Sequence, residues 1–338
     1  MRKIRVAING YGRIGRNILK SHFEYYDHKN IDIVAVNDPS MPSAAHIFTR
    51  YDSVHGKFSK DVFWSKESVL NVDGQDIQFV AERNPLLLPW KKLDIDLVLE
   101  CTGRFNSFEL ASKHIESGAK KVMISAPAGK EVDATVVFGV NHHSLRAEHK
   151  VISSASCTTN CVAAMALPLH KRFVIKYGLM TTIHSYTNDQ LLNDGSHTDF
   201  RRARAAGLSI IPTKTGAAVA VGLVIPELNG KLDGCSVRVP TPNVSLVDLT
   251  FVAAEEVTPT SITECMKEAS ETNMSPILQF NEEPLVSVDF VHNPASCIFD
   301  AGLTKVVSSN CAKVFGWYDN EWGFCNRMLD TAHYWFSL

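Results

Sequence analysis

The fold turns on residues 4–15, Ile4-Arg-Val-Ala-Ile-Asn-Gly10-Tyr-Gly12-Arg-Ile-Gly15. A short β-rich run feeds directly into Gly-x-Gly-x-x-Gly, and Arg16-Asn-Ile-Leu-Lys continues it as an amphipathic helix. Strand, glycine turn and helix in that order make a cradle in which backbone can approach a pyrophosphate at the helix N-terminus. A second strand-like run, Ile31-Asp-Ile-Val-Ala-Val-Asn37, ends at Asp38, where a carboxylate is expected to meet a ribose hydroxyl. A glycine-rich turn beside a solvated aspartate would explain either feature alone. All five parts in sequence predict dinucleotide binding.

Working outward, parallel-sheet runs are expected at 97–103, 121–125 and 135–140, with a helix over 107–117 and a hairpin around Asp73-Gly74. Thr102 and Ser125 fall just past strand ends, the edge where open α/β sheets bind ligands. Strand-like stretches at 235–240, 244–254, 285–290 and 306–317, with a helix over 261–272, predict an antiparallel sheet carrying helices. The last segment, from Asn320 onward, reads as an amphipathic helix returning to the first half. The expected fold is therefore α/β. A Rossmann-type doubly wound domain spans 1–156 and 319–338, and an α+β catalytic domain spans 157–318.

Composition narrows the function classes. The chain has 338 residues, 45% apolar and 21% charged, with a formal net charge of −2. Such a balance offers no basic excess for nucleic acid. No run of about 18 apolar residues predicts a membrane span, and the N-terminal apolar run is too short for a signal peptide. Eight cysteines without that signal predict reduced thiols in a cytoplasm. No cysteine–histidine spacing suits a metal, so none is expected.

The chemistry is expected at Ser153-Ser-Ala-Ser-Cys157-Thr-Thr-Asn-Cys161, small and hydroxyl residues that lead into an apparent helix, Val162-Ala-Ala-Met-Ala-Leu. A thiol at a helix start meets unpaired N–H groups and the positive end of the dipole, both of which favour thiolate. Two cysteines four apart on a buried helix would otherwise be apolar fillers, and packing is the reading kept for Cys161. The β-rich run 177–183 delivers His184 and then a polar turn.

Several blocks together resemble the glyceraldehyde-3-phosphate dehydrogenase family: 7–16, 51–58, Ala155-Ser-Cys-Thr-Thr-Asn, Pro212-Thr-Lys-Thr-Gly-Ala-Ala, Arg238-Val-Pro-Thr-Pro-Asn and Trp317-Tyr-Asp-Asn-Glu-Trp-Gly. The resemblance runs nearly end to end. It implies a phosphorylating aldehyde dehydrogenase that uses NAD and assembles as a homotetramer. Cys157 and His184 become the catalytic pair. Gly10, Gly12, Arg13, Ile14, Gly15, Asp38, Arg83, Thr102, Ser125 and Asn320 become cofactor residues, Asn320 orienting the nicotinamide. Ser156, Thr158, Thr187, Asp189, Thr215, Gly216 and Arg238 become ligands of the substrate's phosphoryl group and of inorganic phosphate, and Arg202 an edge of that site. An imidazolium beside the thiolate is expected to lower the thiol's pKa, and a neutral imidazole there can take the hydroxyl proton as base.

The chain departs from the family pattern at three places. Gly195-Ser196 stands where strict NAD users tend to have Leu-Pro, and this resembles members that accept NADP; with Asp38 retained, the expectation is NAD preference with NADP tolerated. Segments 285–292 and 326–331 resemble erythrose-4-phosphate dehydrogenase, the alternative reading, in which the thioester is hydrolysed. That relative usually loses the Thr-Gly turn and the hydroxyl after the histidine strand, whereas Thr187, Thr215 and Gly216 are present here. Lys214 replaces a commoner small residue. A thiol hydrolase would have no use for Asp38 or three glycines, and a non-catalytic nucleotide sensor would not retain thiol, histidine and phosphate ligands together.

Overall fold

The computed structural model describes residues 2–24, 30–39, 42–129 and 131–338. It divides into two units. One contains the chain up to Val136, His142–Ala155 and Cys325–Leu338; the other contains Val137–Asn141 and Ser156–Phe324. Relative to the expected boundaries, Val137–Asn141, Ser156 and residues 319–324 lie with the second unit.

The first unit is built on a nine-stranded sheet in the order Ala134–Thr135, Val151–Ser153, Lys121–Ile124, Leu97–Glu100, Ile4–Asn9, Ile31–Asn37, Gln75–Val80, Val69–Val72, Val62–Lys66. Pairing is parallel as far as Gln75–Val80 and antiparallel for the last two strands. Val6, Ala7, Ile8, Leu97, Val98 and Leu99 have no exposed surface, as their uninterrupted apolar runs require of strands covered on both faces. Asp73 and Gly74 both have positive φ and make the expected hairpin, which extends the main sheet. The outermost strand is bulged between Trp64 and Lys66.

Helices Arg13–Glu24 and Phe108–Glu116 follow the predicted positions, the second capped by Ser107 Oγ accepting from Leu110 N. Helix Pro42–Arg50 has no counterpart in the sequence reading. The strand expected at 135–140 is cut to Ala134–Thr135. Gly139, at φ +85, and the Asn141 side chain, which accepts from Val137 N, bend the rest into turns.

In the second unit a sheet of eight strands runs Ile211–Lys214, Leu232–Val239, Ile175–Ser185, Ser245–Ala253, Cys311–Tyr318, Cys297–Asp300, Leu278–Asn281, with Lys305–Val307 paired to Cys311–Tyr318. It is antiparallel-rich but not antiparallel throughout: Ile175–Ser185 pairs with Leu232–Val239, and Leu278–Asn281 with Cys297–Asp300, in parallel. The first of these joins across a long crossover carrying helix Ala217–Val224, as parallel neighbours require. Helices Cys157–Phe173 and Pro259–Glu271 pack with the sheet, while Tyr177 and Leu179 stand exposed, at 60% and 68%.

The strand expected at 285–290 is instead a 3₁₀ turn, Ser287–Phe290, because the Asp289 carboxylate accepts from Val286 N and closes the backbone. The run 306–317 is two strands joined at Ser308, φ +53. Helix Trp322–Trp335 is buried on nearly every side and is not amphipathic. Its polar residues Asn326, Arg327 and Thr331 are as buried as Met328 and Leu329.

Candidate active site

Strand Ile4–Asn9 delivers Gly10 at φ +95, a conformation open to glycine. A Cβ there would lie 2.8 Å from Cys101 C and Thr102 N, and one at Gly15 would lie 2.1 Å from the Gly10 carbonyl oxygen. At Gly12 a Cβ would meet nothing within 4 Å. The first and third glycines thus close the strand–helix joint, and the second leaves its outer surface clear over the N-terminus of helix Arg13–Glu24. Asp38 Oδ2 accepts from Tyr11 N at 2.9 Å, which brings the carboxylate to the same turn. These residues fit a dinucleotide: an open approach to a helix N-terminus and one carboxylate at the adjoining strand end.

The other expected cofactor residues are less uniform. The Arg13 guanidinium is 2.7 Å from Asp52 Oδ2. Burial opposes the Asp52 charge, yet the amides of His55 and Val54 together with Arg13 hold that carboxyl well below its ordinary range. Arg13 therefore serves Asp52 with its side chain. The Ile14 carbonyl accepts from Cys325 Sγ. Thr102 donates both its N–H and its hydroxyl to Glu100 Oε1. Ser125 N donates to the Glu100 carbonyl at 3.0 Å, and Arg83 is exposed just after strand Gln75–Val80. Asn320 lies in the second unit, its Oδ1 accepting from Ser245 Oγ at 2.8 Å.

In the second unit Ser156 caps helix Cys157–Phe173, its Oγ accepting from Thr159 N at 3.1 Å. Ala155, at φ +57, turns the chain into that cap. Cys157 is consequently the first helical residue, and its Sγ lies 3.6 Å from His184 Nε2. His184 Nδ1 faces the Ser185 carbonyl, an acceptor, at 2.7 Å and Arg238 Nη1, a donor, at 3.0 Å; the shorter contact to the carbonyl favours the ring proton on Nδ1, with the Nε2 lone pair toward the sulfur. The register sets His184 opposite Arg238 on the neighbouring strand, and Arg238 Nη1 donates to the same carbonyl at 3.0 Å.

Burial, reinforced by Arg238, pushes the His184 pKa down to about 3. Burial also pushes the Cys157 thiol up, opposed by Arg238 and by the Thr158 amide. The expected imidazolium is thus not the form this site favours. The cation that opposes the rise of the Cys157 thiol is Arg238, and the neutral form of His184 is the one favoured beside it.

Of the expected anion ligands, Arg238 and Thr187 come together, Nη1 to Oγ1 at 3.5 Å. Arg238 Nε is buried without a partner. Asp189 forms an ion pair with Arg202, which also donates to Thr213 Oγ1 at 2.9 Å and approaches the Lys214 carbonyl at 3.4 Å. Gly216 is the N-cap of helix Ala217–Val224, and Thr215 Oγ1 accepts from Ala217 N at 3.2 Å. Thr158 Oγ1 bonds Tyr318 OH at 2.8 Å, and both the amide and the hydroxyl of Thr158 act on the Cys157 sulfur. The Lys214 side chain is exposed, and nothing in the structure explains the lysine there.

Two features escaped the sequence reading. Tyr318 OH bridges Thr158 and Thr182 at 2.8 Å each, and its ring meets the edge of His184. The His184 side chain is in turn flanked by the guanidinium of Arg238, Nη1 lying 3.0 Å from Nδ1, 54 residues away in the chain. Pairings across 136 and 160 residues leave no local trace in a sequence.

Residues 4–108 match the NAD binding domain of glyceraldehyde 3-phosphate dehydrogenase, and residues 156–320 match the C-terminal domain of the same enzyme. The chain is similar to the chromosomal glyceraldehyde-3-phosphate dehydrogenase of Cupriavidus necator, 58% identical over 329 residues, 97% of each chain. It is 56% identical to that of Pseudomonas aeruginosa and 51% to that of Xanthobacter flavus, over 330 residues and again 97% of each chain. With both domains matched in order and at least half of the aligned positions shared with each relative, the chain belongs to the glyceraldehyde-3-phosphate dehydrogenase family.

Proposed function

We propose that the chain is an NAD-dependent, phosphorylating glyceraldehyde-3-phosphate dehydrogenase. The observation that carries this reading is the contact of Cys157 Sγ with His184 Nε2 at 3.6 Å. Cys157 sulfur bonds to the aldehyde carbon as His184 Nε2 takes the thiol proton, and His184 passes that proton to the carbonyl oxygen to give a thiohemiacetal, which returns the imidazole to its neutral form. His184 then takes the hydroxyl proton while the carbon–hydrogen pair departs as hydride. Bound NAD supplies the hydride acceptor. A phosphate oxygen next attacks the thioester carbon, the carbon–sulfur bond breaks, and 1,3-bisphosphoglycerate leaves the thiolate behind.

Arg238 and Thr187 support a phosphate site beside His184. Thr215, Gly216, Ser156 and the Thr158 amide are assigned to the second anion, and Asp189 fixes Arg202 at the edge. Gly10, Gly12, Gly15 and the first-turn amides of Arg13 and Ile14 receive the pyrophosphate, and Asp38 the adenosine ribose. Arg83, Thr102, Ser125 and Asn320 complete the cofactor set. Asp38 favours NAD, with NADP tolerated.

The exposed Tyr177 and Leu179 on the sheet of the second unit support a homotetramer. Eight free thiols support a cytoplasmic location. Among the described residues no helix is long and apolar enough to cross a membrane.

The test is NADH formation with glyceraldehyde 3-phosphate and with erythrose 4-phosphate, each with and without inorganic phosphate. Phosphate-dependent turnover of the three-carbon aldehyde is expected. Preference for the four-carbon aldehyde, or indifference to phosphate, would overturn the assignment of Thr215 and Gly216.

A further inference from the structure

Three adjacent parallel strands of the first unit end in polar side chains that the mechanism above does not use. The register aligns Asn9 with Asn37 on one side and with Glu100 on the other. All three are buried, Glu100 and its neighbour His114 completely. Glu100 Oε2 accepts from Asn9 Nδ2 and from His114 Nε2, the latter at 3.0 Å. Glu100 Oε1 accepts from the Thr102 N–H and hydroxyl.

The protons can be assigned. Trp90 Nε1 is 3.1 Å from His114 Nδ1 and can only donate, so a neutral His114 carries its proton on Nε2, toward Glu100. Four donors then converge on one carboxylate. The linkage continues sideways, Asn37 Nδ2 donating to Asn9 Oδ1 at 2.7 Å and Asn37 Oδ1 accepting from Glu82 N at 2.9 Å. Each strand end leads within two residues into the nucleotide site: Asn9 into Gly10, Asn37 into Asp38, Glu100 into Thr102. Gly10 packs so closely on Thr102 that a Cβ would meet Thr102 N at 2.8 Å.

We propose that Glu100 is a positioning residue for the cofactor: it fixes Thr102 directly, and the Gly10 turn and Asp38 through Asn9 and Asn37, so that the site is assembled before NAD arrives. The proposal rests on the reading of these residues as the NAD site. A buried carboxylate is costly unless every oxygen is satisfied, and a network of this kind holds one geometry only while complete.

The experiment is calorimetric titration of NAD into the purified enzyme with steady-state kinetics beside it. Glu100→Gln turns an amide donor toward existing donors and is expected to weaken NAD binding at least about tenfold, with kcat at saturating NAD within about twofold. His114 reaches the glycine turn only through Glu100. His114→Leu should weaken NAD binding at least about threefold while His114→Gln, which keeps a donor, stays within about twofold of wild type. The His114 pair decides the matter if Glu100→Gln fails to fold. NAD binding unchanged in these variants, or a fall in kcat and a rise in the aldehyde KM together with lower thermal stability, would overturn the positioning role and leave the NAD assignment standing. A wild-type chain that fails to bind NAD would overturn both.

Discussion

Gly12 and Gly15 lie three residues apart in one turn, and alanine at each separates cofactor binding from folding. At position 15 the new Cβ would sit 2.1 Å from the Gly10 carbonyl oxygen and 2.9 Å from Ile8 Cγ2. Backbone cannot swing aside as a flexible side chain can. Overpacking of this kind costs about 1–3 kcal/mol, against which alanine in a helix gains up to about 1 kcal/mol over glycine. A contact of 2.1 Å with backbone lies at the upper end of that cost, about 3 kcal/mol, so the net loss of about 2 kcal/mol should lower Tm by about 4–8 °C. At position 12 the Cβ meets nothing within 4 Å, so stability should stay within about 0.5 kcal/mol of wild type. The methyl group nevertheless stands in the path by which a pyrophosphate reaches the helix amides, and NAD affinity should fall at least about tenfold, about 1.4 kcal/mol. Scanning calorimetry reads the first effect and NAD titration the second. A Gly15→Ala enzyme that melts with wild type, or a Gly12→Ala enzyme that binds NAD undiminished, would refute the division of labour among the three glycines.

Cys157→Ser should fold normally and lose at least about 1,000-fold in kcat, because a hydroxyl is a far weaker nucleophile beside a neutral imidazole; substantial residual NADH formation would move the nucleophile elsewhere. The buried His184 has its pKa lowered from 6.5 to about 3, so between these values the unfolded chain binds a proton that the folded chain refuses. Wild-type stability should therefore fall on acidification by up to about 1.4 kcal/mol per pH unit from this group. His184→Asn lacks that slope, so its melting temperature should gain on wild type from about pH 7 to about pH 4, and parallel curves would contradict the neutral buried histidine. Asp38→Ala should raise kcat/KM with NADP at least about tenfold while lowering it with NAD; in wild type, an NAD over NADP ratio above about 1,000, roughly 4 kcal/mol, would exclude NADP tolerance.

What the sequence made legible was local. The glycine turn, Asp38 at the end of the second strand and Cys157 at a helix start each sit within a few residues of the signals that define them, and each has the backbone position those signals indicate. Residues 285–290 were misread because β-rich composition outweighed one carboxylate, Asp289, that closes the turn. The parallel pair formed by Ile175–Ser185 and Leu232–Val239 was missed because strand direction depends on the crossover between them, not on either strand's pattern. The bond between the Thr158 hydroxyl and Tyr318, far along the chain, was not legible. The partners of Glu100 are scattered likewise, and no spacing rule joins Asn9, Thr102 and His114.

The two ends of the nine-stranded sheet bear on how copies of this chain coexist at high concentration. One border strand is only two residues long, Ala134–Thr135. The other is interrupted by a bulge and finishes at Lys66. Shortness, bulging and an edge lysine are the means by which proteins deny an incoming strand a template. Neither border of this sheet therefore invites runaway strand addition, and encounters between copies are steered away from fibrous aggregation.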